Sequence, residues 1–144
     1  MLRRIWITLV VSTGFYTVVI VAGARAPHRP SFSPLAFAAP ALVVAVLSVL
    51  LPPRLLANAL ASVEVAGEQT LFDAFPKFQS AVLTGTALAE AVALFGLMAA
   101  YSGAPPSIWA PFFAFAFAFM AVHFPRIETL VRALERKTGK TFKV

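Results

Sequence analysis

Polar and apolar positions alternate along this chain in long blocks rather than in short periods. Residues 5–24, 35–51, 82–101 and 108–124 are almost wholly apolar and hold one formal charge among them, Glu90. A helix needs about 20 mostly apolar residues to cross a bilayer. The pattern therefore predicts an all-α integral membrane protein, with four transmembrane helices in two hairpins. Pro52 and Pro53 are expected to stop the second span. Pro111 is expected in the first turn of the fourth, where a missing N–H costs least. The run Phe113-Ala114-Phe115-Ala116-Phe117-Ala118-Phe119 alternates like a strand. A lone strand cannot satisfy its backbone in hydrocarbon, so helix is expected there too.

The first span has a rival reading. Met1-Leu2-Arg3-Arg4, the apolar run and Ala24-Arg25-Ala26 imitate a secretory signal with its cleavage site. Such apolar regions usually run about 7–15 residues. This run is longer, and Arg25 crowds the site, so an uncleaved span is expected.

The polar blocks differ from one another. Residues 54–78 carry Leu56, Leu60 and Val63 at helical spacing together with Glu64, Glu68 and Asp73. This predicts a cytoplasmic amphipathic segment, broken at Gly67. Residues 125–144 form a basic tail in which Ile127, Leu130, Val131 and Leu134 mark one helical stripe. Its cations are Arg126, Arg132, Arg136, Lys137, Lys140 and Lys143. A basic amphipathic helix beside a span commonly lies on anionic lipid headgroups; fixing topology and solubility is the plainer role. No nucleic-acid-binding motif accompanies the charge, so no nucleic acid is expected.

Basic residues also set the orientation. Arg3, Arg4, Arg54, Lys77 and the six tail cations fall on one side of the predicted spans, against Arg25 and Arg29 on the other. Both termini are expected in the cytoplasm, with a bacterial inner (cytoplasmic) membrane as the location.

Composition agrees. Hydrophobic residues make up 60% of the 144 and charged residues 12%, against about 25% charged in soluble domains. A chain this short could not bury so much apolar surface in water, and one membrane domain, 1–144, is expected. There is no cysteine, which excludes disulfides and thiolate chemistry. No metal spacing, nucleophile–base pair or phosphate loop is present either. Neither a cofactor, a metal nor catalysis is expected.

Helix packing in lipid relies on small residues that let backbones approach. Gly85, Ala89 and Ala93 supply them on the third span. Ala110, Ala114, Ala118 and Ala121 gather on one side of the fourth. Either stripe could serve this chain or a neighbouring copy.

Glu90 is the one candidate for chemistry. It lies roughly 12 Å into its span at ~1.5 Å per residue, and an acid near the centre costs on the order of 2.5–3.5 kcal/mol on insertion scales. Acids in such places serve ion pathways or, more plainly, hydrogen-bond across helices in the neutral form. Thr86, one turn earlier, is the expected local partner. No lysine or arginine lies in any span, so a cationic partner must come from another chain. His123 lies near the end of the fourth span; a structural hydrogen bond is its plain role, and a relay with Glu90 the sharper one.

The run from Phe78 through Ala87-Leu88-Ala89-Glu90-Ala91-Val92-Ala93 to Tyr101 resembles the second helix of the ATP synthase proteolipid, subunit c. The resemblance covers residues 78–101; the other spans do not match. It implies that Glu90, with Thr86 beside it, binds the translocated proton or ion in a homo-oligomer. Two functions therefore stand as expectations. One is a proteolipid-like subunit that moves protons or ions through Glu90. The other is an accessory or scaffolding subunit, held among other membrane chains, in which Glu90 only packs or hydrogen-bonds.

Overall fold

A computed structural model describes residues 2–23, 33, 35–61, 69–139 and 141. Among them every element is a helix: α1 (Leu2–Gly23), α2 (Leu35–Ala61), α3 (Gln69–Tyr101), α4 (Pro106–Val122) and α5 (Ile127–Thr138). Three of these, α1, α2 and α3, are long and apolar enough to cross a membrane. Helix α4 has 17 residues, at the lower edge of the spanning range, and meets α5 at a 55° bend.

Helix α3 is the hub, packed against all four others. Its 33 residues reach about 50 Å at ~1.5 Å per residue, well beyond a hydrocarbon core of about 30 Å. The surplus is its N-terminal part. There Ala74, Phe78 and Val82 meet Leu2, Leu60, Leu130 and Leu134 in one apolar cluster. A second cluster at the opposite end joins Ile20, Val92, Ala93, Phe113 and Ala116. Helices α1 and α2 pack chiefly on α3 rather than on each other, so the predicted first hairpin is not a paired unit. The outward sides of both stay apolar and exposed, as at Val11, Phe15 and Val18 on α1 and Leu42, Val43 and Val46 on α2.

Pro52 and Pro53 do not end α2, which runs on to Ala61. Proline removes two backbone bonds here. The turns beyond it are held by burial of Leu60, by Leu56 against the same cluster, and by Lys77 Nζ donating to Ala59 O at 3.1 Å. A cation at a helix C-terminus also suits the macrodipole. The predicted segment 54–78 is thus shared between the end of α2 and the start of α3. Residues 62–68, with Glu64, Gly67 and Glu68, lie outside the described residues, as do Arg25, His28 and Arg29.

The α3–α4 turn follows from its letters. Gly103, at φ 82°, takes the left-handed conformation that ends helices, with Ala104 N donating to Ala99 O and Gly103 N to Ala100 O. Pro106 then opens α4, where its missing N–H is no loss. The helix starts two residues before the predicted Ile108, so Pro111 falls in its second turn rather than its first.

Helix α5 buries Leu130, Val131 and Leu134 and leaves Ile127 exposed. Leu130 and Leu134 face α3 and α2 within the chain, so much of the stripe expected to lie on lipid is used internally. Arg126, Arg132 and Arg136 remain exposed; Lys140, Lys143 and the side chain of Lys137 lie outside the described residues.

Candidate functional site: a polar layer around Glu90

Between the two apolar clusters lies a layer of polar groups. Among the described residues the buried polar side chains are Thr13, Ser48 and Thr86, one from each of α1, α2 and α3. Hydroxyls in an apolar helix must bond inward, and two of these take the carbonyl one turn back. Thr13 Oγ1 donates to Leu9 O at 3.0 Å, and Thr86 Oγ1 to Val82 O at 2.9 Å. Thr86 therefore spends its proton on its own helix, and the hydrogen bonds of Glu90 go to α1 instead. The Thr17 hydroxyl, one turn beyond Thr13, is buried with no partner among the described residues.

Glu90 is half-buried and points at α1. Ser12 Oγ donates to Glu90 Oε1 at 2.5 Å, and Tyr16 Oη donates to the same oxygen at 3.2 Å. Ser12 and Tyr16 are one turn apart, so a single face of α1 presents both hydroxyls. The serine also reaches Leu9 O at 2.9 Å, yet a hydroxyl has one proton to give. With Glu90 ionised, that proton goes to the carboxylate. With Glu90 protonated, the acid donates to Ser12, and Ser12 turns its own proton to Leu9 O. Either state of the acid finds a partner in Ser12.

A second node was not legible in the sequence. Ser48 Oγ donates to Gly85 O at 3.2 Å and lies 3.2 Å from His123 Nε2. Since the serine proton is committed to the carbonyl, the imidazole is the donor in the second contact, from Nε2. The ring lies flat against α3 because Gly85 has no side chain; a Cβ there would fall 2.8 Å from two ring atoms of His123. This node ties α2, α3 and the end of α4 together. It lies about 7 Å along α3 from Glu90 at ~1.5 Å per residue, and no hydrogen bond joins His123 to Glu90. Ser48→Ala removes the hydroxyl's bonds but keeps the one between His123 and the backbone of residue 48, and is expected to cost about 0.5–1.5 kcal/mol. Thermal unfolding in detergent should show that loss, with exposed Ser107→Ala unchanged.

Other contacts hold α1 in place beside this layer. Trp6 Nε1 donates to Met120 O at 3.0 Å. Its ring meets Phe124 edge-on at 5.0 Å, and Arg3 lies 5.7 Å from the centre of the same phenylalanine.

The two small-residue stripes part company. Gly85, Ala89 and Ala93 are buried on α3, as expected of a packing face, and Gly96 and Ala99 extend it. Ala110, Ala114, Ala118 and Ala121 are all exposed on α4, which buries Phe113, Ala116 and Met120 instead. The physical reason is complementarity: glycine and alanine on α3 make room for large side chains on α4, so only one helix need be small.

No family model matches this chain. Neither a curated protein nor a solved structure matches it. The likeness of residues 78–101 to the proteolipid helix stands on those residues alone.

Proposed function

We propose that this chain is a small, non-catalytic subunit of a larger membrane assembly, in which Glu90 clasps α1 to α3. In this reading α1 to α4 all span a bacterial cytoplasmic membrane, with both termini in the cytoplasm. The observation that carries it is the engagement of Glu90 by Ser12 and Tyr16 of its own chain. A carboxylate so held is a hydrogen-bonding element of the bundle. The exposed alanine side of α4 supports the assembly part, since small residues unused within a chain suit approach by another helix.

A proteolipid-like subunit carrying protons or ions is the second reading. It is favoured by the ability of Ser12 to donate to Glu90 or to accept from it. Purification in mild detergent separates the two. The proposal expects unlike chains to copurify, and Glu90→Gln to leave that assembly intact. A large homo-oligomer modified at Glu90 by dicyclohexylcarbodiimide would favour the second reading, and a monomer without partners would sink both.

A further inference from the structure

We infer that the groove between the end of α2 and α5 is a binding site for one anionic phospholipid. The inference rests on the membrane reading of the chain and goes beyond it by naming a site and a ligand class.

The groove follows from two unusual turns of the chain. Helix α2 continues past Pro52 and Pro53, and α5 folds back from α4 at 55°. Both rest on the N-terminal part of α3 through Leu60, Leu130 and Leu134. A cavity of about 570 Å³ is left between them, lined by Leu56, Ala57 and Leu60 on one wall and Thr129, Ala133 and Arg136 on the other. That volume lies within the range of small-molecule sites, about 300–1,000 Å³.

Its chemistry is divided. The walls are methyl and methylene groups, suited to an acyl chain. The polar groups are the Thr129 hydroxyl and the guanidinium of Arg136, which Arg136 Nε fixes by donating to Arg132 O at 3.3 Å. Arg132 is exposed one turn earlier on the same side of α5, and Arg54 is exposed where α2 leaves the prolines. By 3.6 residues per turn, Glu128 and Glu135 lie roughly 40° and 60° from Arg132 but about 80° and 100° from Arg136, so Arg136 is the cation that stands clear of both acids. An apolar slot with cations along one rim complements a lipid with an anionic head and rejects a net-neutral one. The position agrees: Arg3, Arg4 and Trp6 open α1 at the same end of the bundle, and such residues mark the headgroup level.

Native mass spectrometry of the full chain tests this, after exchange into mild detergent with equal phosphatidylglycerol and phosphatidylcholine of matched acyl chains. One phospholipid retained per chain is expected, phosphatidylglycerol preferred on the order of fivefold for each arginine engaged. Arg136→Gln should remove the preference, and Ala133→Trp should fill the groove and remove retention. Ala57→Phe repeats that block from the opposite wall, should the first variant fail to fold. Equal retention of both lipids, or full retention in the groove-filling variants, overturns the site. Release of the chain from membranes by alkaline carbonate would instead overturn the membrane reading.

Discussion

Gly96→Ala is expected to destabilise the bundle by about 1–3 kcal/mol, the usual cost of overpacking a filled interior. The added methyl would fall 2.8 Å from Phe112 Cβ, 3.0 Å from Phe113 Cε2 and 3.2 Å from Trp109 O. Two of those atoms belong to or adjoin the α4 backbone, so no rotamer change relieves the clash. The helices must separate. Alanine's better helix propensity returns at most about 1 kcal/mol, too little to reverse the sign. Gly14→Ala is the control: nothing lies within 4 Å of its added methyl, so only the propensity gain remains. Gly85→Ala should fall between, because its obstacle is the His123 ring, which can swing away by giving up Ser48. Thermal unfolding in one detergent would rank the three. Equal stability of Gly96→Ala and Gly14→Ala would refute the close contact.

The same glycines show why α3 and α4 keep one register. Gly96 faces Phe112 and Gly85 faces His123. The interval between the glycines on α3 equals that between their partners on α4. Gly85 leaves room for a ring and Gly96 for close approach of the α4 backbone, so a slip along the pair would set an alanine methyl against one or the other.

Helix content and the acid were legible because they depend on composition and on single letters. The contacts were not. Pro52-Pro53 reads locally as a stop, but the burial of Leu60 on Phe78 and Leu130 is set by distant residues and outweighs it. The alanines of α4 looked like a packing face because small residues permit close approach. They do not require it, and the neighbouring helix had already supplied the space. Thr86 is at the right spacing to meet Glu90, yet a hydroxyl in an apolar helix reaches its own preceding carbonyl first. Ser12 and Tyr16 were hidden more deeply. A serine and a tyrosine one turn apart in a first span say nothing about an acid in the third until the helices are docked. His123 and Ser48 were likewise separate letters, joined only by the missing side chain of Gly85.

Replacing Glu90 by leucine is expected to loosen α1, and replacing it by glutamine is not. Leucine leaves the Tyr16 hydroxyl without its partner, a cost of about 1–3 kcal/mol if the group stays dry. Interhelical hydrogen bonds in lipid average nearer ~0.6 kcal/mol, with a maximum of about 1.7, because freed groups find other partners. Ser12 has such a partner in Leu9 O, and the Tyr16 hydroxyl has one in the Ser12 side chain. The loss should therefore fall toward the lower figure and be shared by the two hydroxyls. A double-mutant cycle makes the distinction. Tyr16→Phe with Glu90→Leu removes both ends of the contact and should recover much of what Glu90→Leu alone loses, since matched apolar replacement of a pair is nearly neutral. Ser12→Ala should couple to Glu90 as well, since its bond to the acid is the shorter of the two. Glutamine keeps an acceptor for Tyr16 and can donate to Ser12, so Glu90→Gln should unfold within about 1 kcal/mol of the parent. Additive effects of Tyr16→Phe and Glu90→Leu would remove the clasp from the account. A neutral Glu90→Leu would go further and favour the second reading, because an acid that costs on the order of 2.5–3.5 kcal/mol to insert would then hold nothing together within this chain.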